Sequence, residues 1–164
     1  MHKPETDVAN THPPLPQQQQ TILRQVIEEI IPFNKFLHME LQAIRRGYAR
    51  IRLPFAEHLI GNPRKPALHG GVVATLIDTV GGAAAMTTLL SMEDRISTID
   101  LRTDYLRFAE ARELIGEAWL VRSGNRLVVT DMQVHHGDPQ RLIARGVGVY
   151  NVQRMAQSDK PLAD

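Results

Sequence analysis

The chain lacks cysteine and long apolar runs, and each absence excludes a class of protein. Without cysteine, its 164 residues offer no disulfide, no thiolate zinc site and no cysteine nucleophile. No apolar run approaches the ~20 residues that span a bilayer, and the first residues lack the apolar core of a signal peptide. We therefore predict a soluble, cytoplasmic protein that does not associate with a membrane.

The sequence also lacks a dominant charge. Its formal net charge is +1, so no strong basic field favours a nucleic-acid partner. Hydrophobic residues make up 43% of the sequence and charged residues 23%, which is ordinary for a globular protein. The length suits one domain with a sizeable core better than two domains.

Composition divides the chain into three parts. Residues 1–19 are rich in Pro and Gln, which predicts a flexible tail or a segment packed only against a partner. Residues 20–152 carry the patterns of a single domain, which begins with a helix over 20–31 that Pro32 ends. The polar residues 153–164 predict a frayed C-terminal tail.

The segment from Gly71 to about Leu90 predicts a helix that is apolar on nearly every side. Val73, Leu76 and Val80 lie on one face, and small residues fill the opposite face. A helix of this kind is buried. Its glycines weaken it by up to ~1 kcal/mol each, a cost that is easiest to explain if a sheet or a second backbone approaches closely.

Strands are predicted on both sides of this helix. Before it, we expect a connector over 33–37, an extended segment over 39–53 with a turn or bulge at Gly47, and a loop over 54–68. After it, we expect strands near 96–108, 112–123, 126–136 and 140–152. Their short turns predict an antiparallel meander that wraps the buried helix, an α+β fold.

The buried helix begins with His69-Gly70-Gly71 and carries one acid, Asp78. A helix N-terminus presents free N–H groups that can hold a polarised carbonyl oxygen, and glycine lets that oxygen approach the backbone. Asp78 is the one ionisable residue between His69 and Glu93. Burial of an unpaired carboxylate is costly, so this pattern indicates a functional acid or one that faces another subunit.

Plainer interpretations stay open for each of these residues. Asp78 can occupy an exposed position or anchor a loop, His69 can cap the helix, and the glycines can serve turn geometry. His135 and His136 are neighbours on a strand and point to opposite faces, which indicates a strand end near a turn and not a metal site. No other spacing indicates a metal, so we predict neither metal nor cofactor.

Three segments resemble one family. The run from Asn62 to Asp78, N-x6-HGG-V-V-A-T-L-I-D, is similar to the phenylacetyl-CoA thioesterase-like branch of the hotdog-fold thioesterases, in the 4-hydroxybenzoyl-CoA thioesterase superfamily. The strand Ser97-Thr98-Ile99-Asp100-Leu101 and the turn Arg122-Ser123-Gly124-Asn125-Arg126 are similar as well. The resemblance covers roughly residues 35–152.

The resemblance implies a hotdog fold, a long helix wrapped by an antiparallel sheet, and an acyl-CoA thioesterase. It implies that two subunits join their sheets side by side, as a dimer or dimer of dimers, with active sites between subunits. Asp78 is then the nucleophile or general base, and the Gly70 N–H polarises the thioester carbonyl. The other implied catalytic residues are Asn62, His69 and Thr98. The implied substrate or CoA contacts are Gly71, Arg122, Ser123, Asn125 and Arg126.

Two other functions remain open at this stage. A hotdog hydratase or dehydratase acts on the same thioesters, but such enzymes pair a His with an acid, and no compact pair of that kind is visible. A non-catalytic acyl-CoA-binding or sensing protein would suit the N-terminal extension, although no DNA-binding helix pair accompanies it. The acyl group itself, from medium-chain to aromatic, is not fixed by sequence because pocket shape decides it.

Overall fold

The structure, a computed structural model, describes residues 12–91 and 93–154. Its elements, in chain order, are α1 (Gln17–Gln25), a π-helical turn (Val26–Ile30), α2 (Pro32–Phe36), β1 (Glu40–Arg45), β2 (Tyr48–Leu53), a 3-10 turn (Glu57–Leu59), β3 (Ile60–Asn62), β4 (Ala67–Leu68), α3 (Gly70–Met86), β5 (Arg95–Tyr105), β6 (Leu114–Ser123), β7 (Leu127–His135) and β8 (Ala144–Gln153). No helix among these residues is long and apolar enough to cross a membrane.

The main sheet has six strands in the order β1-β2-β6-β7-β8-β5, and every neighbouring pair is antiparallel. It wraps around α3, which contributes eight buried residues to the core. The predicted α+β hotdog architecture is therefore confirmed. The predicted buried helix is confirmed as well, although it ends at Met86 and not near Leu90.

Glycine on both elements lets the helix lie close to the sheet, as its composition predicted. A Cβ at Gly116 would lie 2.9 Å from the Leu76 side chain, and one at Gly146 would lie 2.5 Å from Ile77. On the helix itself, a Cβ at Gly81 would meet the sulfur of Met132 at 2.5 Å. Since real Cβ atoms do not come this close to other atoms, larger residues at these positions would push α3 off the sheet.

The strand order differs from the predicted meander. Strands β6, β7 and β8 do form a meander, but β5 pairs with β8 at the edge of the sheet and not with β6. The connection from β5 to β6, residues 106–113, is longer than predicted, and it crosses from the edge to the middle of the sheet. Consecutive strands form a hairpin when two to five residues connect them, so the rule does not apply to this longer connection.

Two other local predictions, the connector over 33–37 and the loop over 54–68, were wrong in detail, whereas the predicted turn between them was correct. Pro32 ends one helix but also begins α2, where a connector was predicted, because proline suits the first position of a helix and Ile31 before it is extended. The extended segment over 39–53 is a hairpin of β1 and β2 with Gly47 at φ 75°, so the predicted turn was correct. The predicted loop over 54–68 contains the short pair β3 and β4.

Part of the predicted N-terminal tail is packed. Leu15 is only 4% exposed, and the amide of Arg46 donates to the carbonyl of Pro13 over 3.0 Å. The helix α1 already begins at Gln17. Residues 1–11 and 155–164, which complete the two predicted tails, lie outside the described residues.

A buried carboxylate stabilises the centre of the sheet. Glu117 is 3% exposed and accepts hydrogen bonds from the Tyr48 hydroxyl at 2.7 Å, His135 Nε2 at 3.0 Å and Gln133 Nε2 at 3.0 Å. Burial alone would raise the pKa of Glu117, but these donors and the charge of Arg50 together lower the pKa to about 2. Glu117 is therefore ionised in the folded protein at any physiological pH.

We expect acid to unfold the protein through Glu117. A carboxyl whose folded pKa lies below its unfolded value stabilises fully above the unfolded value, near 4.5, and loses that contribution as pH falls toward 2. The loss should amount to a few kcal/mol. Urea unfolding at several pH values should show this slope in the wild type and a flatter one in Glu117→Gln. The exposed Glu113→Gln is the control, and an equal slope in all three proteins would exclude this assignment.

Candidate active site

Asp78 occupies a half-exposed position on α3 and faces the start of β5. The Thr98 hydroxyl donates to Asp78 Oδ1 over 2.9 Å, so the structure brings these two predicted site residues together. The Tyr150 hydroxyl donates to the backbone carbonyl of Asp78 over 3.1 Å. Burial and the charge of Asp78 raise the pKa of Tyr150, so this hydroxyl stays protonated and remains a donor. Both bonds hold the carboxylate and its turn of helix in place.

A cavity of about 320 Å³ opens beside this carboxylate. Thr75, Asp78 and Met86 of α3 form one wall, and Ile96 and Thr98 of β5 form another. The remaining wall comes from the N-terminal segment, which contributes Ile27, Ile31, Phe33 and Asn34. The cavity therefore combines one carboxylate and a few hydroxyl and amide groups with largely apolar surroundings, as ligand pockets do.

Asn34 is a cavity residue that the sequence interpretation missed. It is 3% exposed, and its Nδ2 has no hydrogen-bond partner among the described residues. A buried amide without a partner costs on the order of 1–3 kcal/mol, so its retention next to Asp78 is a functional signal. The sequence predicts a connector at α2, and a connector has no inward face, so no pattern indicated that Asn34 is buried.

His69 and the two glycines form the start of α3. His69 is the N-cap residue, and its Nδ1 accepts a hydrogen bond from the Gly71 amide over 2.9 Å, so the capping interpretation is confirmed. The Gly71 amide is thereby engaged. Gly70 is the first residue of the helix, where the amide has no intrahelical partner. Gly70 is thus the glycine of the pair whose amide is placed to meet a ligand.

A larger cavity, about 780 Å³, lies at this end of the helix. It is lined by Asn62, His69 and Gly70, and by residues that follow β5, including Phe108. Asn62 Oδ1 accepts from the amides of Arg64 at 3.1 Å and Lys65 at 3.4 Å, so its carbonyl oxygen shapes the turn before β4. Three of the predicted catalytic residues are therefore gathered here, away from Asp78.

The predicted site is thus divided between two cavities of one chain. Gly70 and Asp78 are eight residues apart on α3, which places them about 12 Å apart along the helix axis. On β5, Tyr105 marks the Gly70 end, because its hydroxyl donates to the Gly70 carbonyl over 2.9 Å. Thr98, which contacts Asp78, lies seven residues from Tyr105, or about 23 Å along the strand. A single carbonyl group needs both an oxyanion donor and an attacking oxygen within about 3 Å, so the Gly70 amide and the Asp78 carboxylate of one chain are too far apart to act on the same carbonyl.

Four of the five predicted substrate or CoA contacts lie on the hairpin between β6 and β7, and the fifth, Gly71, lies at the start of α3. Arg122, Ser123, Asn125 and Arg126 are all exposed, and none of them lines either cavity. The register Leu127 to Asn151 to Ser97 across β7, β8 and β5 places this hairpin at the Asp78 end of the sheet. The hairpin therefore lies two strands away from β5, at the same end of the sheet as the Asp78 carboxylate.

The two neighbouring histidines have separate structural partners. His135 is fully buried against Glu117, and His136 Nδ1 lies 2.6 Å from the Glu113 carbonyl oxygen. The predicted strand end near a turn is confirmed. Within residues 12–91 and 93–154, no three His, Asp or Glu side chains come together as a ligand set for a metal.

Known proteins share this fold and sequence. A profile of the thioesterase superfamily matches residues 66–143, from just before α3 to just before β8. The medium/long-chain acyl-CoA thioesterase YigI of Escherichia coli strain K12 is 31% identical over 134 residues, which cover 74% of this chain and 86% of YigI. The Salmonella typhimurium protein of the same name is similar to the same extent.

Solved structures agree with these relatives. A Shewanella oneidensis protein related to the thioesterase superfamily is 31% identical and covers 85% of this chain and 100% of its own, with a TM-score of 0.73. A thioesterase family protein of Silicibacter pomeroyi, 22% identical with a TM-score of 0.72, shares the fold; the match covers 82% of this chain and 97% of that one. With a carboxylate on a sheet-wrapped helix and relatives of this similarity, the chain belongs to the thioesterase superfamily and is a hotdog-fold member of it.

Proposed function

We propose that this chain is an acyl-CoA thioesterase whose active sites form between two copies of it. Asp78 of one copy is the catalytic carboxylate, and the Gly70 amide of the other copy is the oxyanion donor. The observation that carries the proposal is the separation of these groups, at the start and in the middle of one helix, each beside its own cavity. The similarity to a medium/long-chain acyl-CoA thioesterase supports the substrate class.

The chemistry follows from these two groups. Asp78 takes a proton from a water molecule while the water oxygen bonds to the thioester carbon. The carbonyl oxygen becomes an oxyanion and accepts a hydrogen bond from the Gly70 amide. The C–S bond then breaks, the sulfur takes the proton from Asp78, and free acid and CoA leave. In the alternative course, Asp78 attacks the thioester carbon directly, the C–S bond breaks and CoA leaves as its thiolate, and water then hydrolyses the resulting anhydride. Neither course requires a metal or cofactor.

The edges of the sheet support pairing of two copies through β5. At the other edge, Arg24 donates to the Leu41 carbonyl of β1 over 2.6 Å, and Glu28 accepts from the Leu41 amide over 2.7 Å, so side chains already occupy that edge. Within the described chain, β5 pairs on one side only. Its Ile99 is 58% exposed, which suits a strand that is covered by a partner.

Pairing through β5 also predicts how the two copies are placed relative to each other. An antiparallel pair of β5 strands has a two-fold axis between them, and such an interface is the commonest in homo-oligomers. If the axis passes near Leu101 and Arg102, midway between Thr98 and Tyr105, the Asp78 end of one copy lies opposite the Gly70 end of the other. Each dimer then has two complete sites. Dimer or dimer of dimers satisfies this geometry equally.

The remaining predicted residues have places in this proposal. Asn62 lies in the Gly70 cavity and can hold the thioester or the water, and His69 fixes the start of the helix. Arg122 and Arg126 on the exposed hairpin offer two guanidinium groups, which bind phosphate bidentately, to the phosphates of CoA. The cytoplasmic location stays a prediction from sequence.

We expect the purified full-length protein to release thiol from acyl-CoA esters without added metal. A panel of short, medium, long and aromatic acyl-CoAs, followed by reaction of free CoA with a thiol reagent, measures this directly. A kcat/KM above about 10⁴ M⁻¹s⁻¹ for the best ester would be that of a dedicated enzyme. Binding of the whole panel without thiol release would instead favour the sensing function. Addition of water to an enoyl-CoA would favour the hydratase.

A further inference from the structure

A second cavity adjoins the Asp78 cavity beneath the first helix. It has a volume of about 540 Å³ and runs between α1 and the segment that follows α3. Its walls are largely apolar, and the side chains that matter here are Ile22, Leu23, Val26, Met86, Leu89 and Ile96. We call it the α1 groove. Asp94, which lies at one end of it, is paired with Arg154 at 3.1 Å, so this end offers no free carboxylate to an apolar occupant.

The α1 groove adjoins the Asp78 cavity. Met86 and Ile96 line both spaces, so a ligand that passes between these two side chains moves from one into the other. The N-terminal segment also covers both, because Ile22 of α1 and Val26 of the π-helical turn lie over the groove while Ile27 and Ile31 lie over the carboxylate cavity. The two spaces together are within the size range of small-molecule pockets.

We propose that the α1 groove binds the acyl chain of a medium-chain or long-chain acyl-CoA, an inference that rests on the proposed function. The thioester lies at Asp78, and the acyl chain runs past Met86 and Ile96 under α1. An apolar chain that enters from the carboxylate cavity matches both the apolar lining of the groove and its position next to that cavity.

The length of the path sets the length of chain that fits. From Asp78 to Met86, the last residue of α3, the helix advances about 12 Å. A fully extended chain of single bonds advances about 1.2 Å per bond, by analogy with an extended backbone. An acyl chain of about ten carbons therefore reaches Met86, where the groove begins, and longer chains enter the groove. Shorter chains stop before Met86 and leave the groove empty.

The test is to fill the groove from α1. Ile22→Trp places a large ring into it, whereas Thr21→Trp adds the same ring to the exposed side of the same helix turn. We expect Ile22→Trp to lose at least tenfold in kcat/KM for dodecanoyl-CoA and hexadecanoyl-CoA, since misfit of this kind is worth about 10–200-fold, and to keep its rate on butanoyl-CoA and hexanoyl-CoA. Thr21→Trp should keep the wild-type profile.

A second measurement covers the case in which Ile22→Trp folds poorly. Val26→Phe narrows the groove by less, and dodecanoate should inhibit hexanoyl-CoA hydrolysis by the wild type more strongly than by this variant. An unchanged chain-length profile in a folded Ile22→Trp, or an equal loss on every ester, would overturn the groove as the acyl site. So would a changed oligomeric state, which would assign the groove to contacts between copies. If the wild type hydrolyses no ester at all, the proposed function fails instead.

Discussion

Asp78→Asn should abolish most of the thioesterase activity while the protein stays folded. A positioned general base contributes on the order of 10²–10⁴-fold to a rate, and the carboxamide cannot accept the proton of water. The substitution is nearly isosteric, and Asn keeps an oxygen that accepts the Thr98 hydrogen bond. We therefore expect kcat to fall by that factor, with little change in KM or in the melting temperature.

The matched control for this variant is Asp131→Asn, which neutralises an exposed carboxylate on β7. It should leave kcat unchanged. Turnover in heavy-oxygen water tests for direct attack, because water that opens the anhydride at its aspartyl carbon labels the Asp78 carboxylate, whereas activation of water by Asp78 never labels it. Turnover by Asp78→Asn at the wild-type rate would remove Asp78 from the mechanism.

Gly70→Pro should remove the oxyanion donor without removing the helix. Proline has no amide hydrogen, and it is favoured at the first helical position. His69 before it is extended, at φ −63° and ψ 137°, which is the conformation that precedes proline. A Cβ at this position meets the Tyr105 ring at an ordinary 3.6 Å. Loss of one such donor costs on the order of 10²–10³-fold in kcat, whereas Gly70→Ala, which keeps its N–H, should stay close to the wild type.

Mixing two inactive variants then tests whether the site lies between copies. If Asp78→Asn and Gly70→Pro chains exchange subunits freely, half of the dimers are mixed, and each mixed dimer has one intact site of two. Activity should recover to about a quarter of the wild-type value, by the symmetry of a two-fold dimer. No recovery, with subunit exchange verified by mass spectrometry, would mean that Asp78 of one copy and Gly70 of the other do not act on the same ester.

The sequence predicted the elements that depend on local chemistry. The buried helix was visible because α3 is apolar on nearly all sides, and Asp78 was visible because it is the one acid within it. His69 as a cap followed from its place before two glycines. The helix and the cap needed only near neighbours in the chain, and so they held to within a few residues in the structure. The catalytic role of Asp78 stays a prediction.

The features that depend on distant contacts could not be read in this way. The pairing of β5 with β8 joins residues about fifty positions apart, and no local pattern distinguishes it from pairing with β6. Asn34 lies in a helix of five residues, too short for a periodic pattern, and its burial depends on the side of the carboxylate cavity it covers. The placement of Gly70 and Asp78 in two cavities appears only when the start and the middle of α3 are placed on the sheet.

The edge of β5 that has no strand partner among the described residues also favours aggregation. Eleven residues of exposed ladder, with Ile99 and Tyr105 more than half exposed, form a template on which other chains can stack. In the proposed dimer, the partner copy that covers this edge removes the template in the same step that completes the active site. Dilution below the dimer dissociation constant should then reduce activity and resistance to aggregation together, and a substitution that weakens the dimer would reveal itself as precipitation as much as lost turnover.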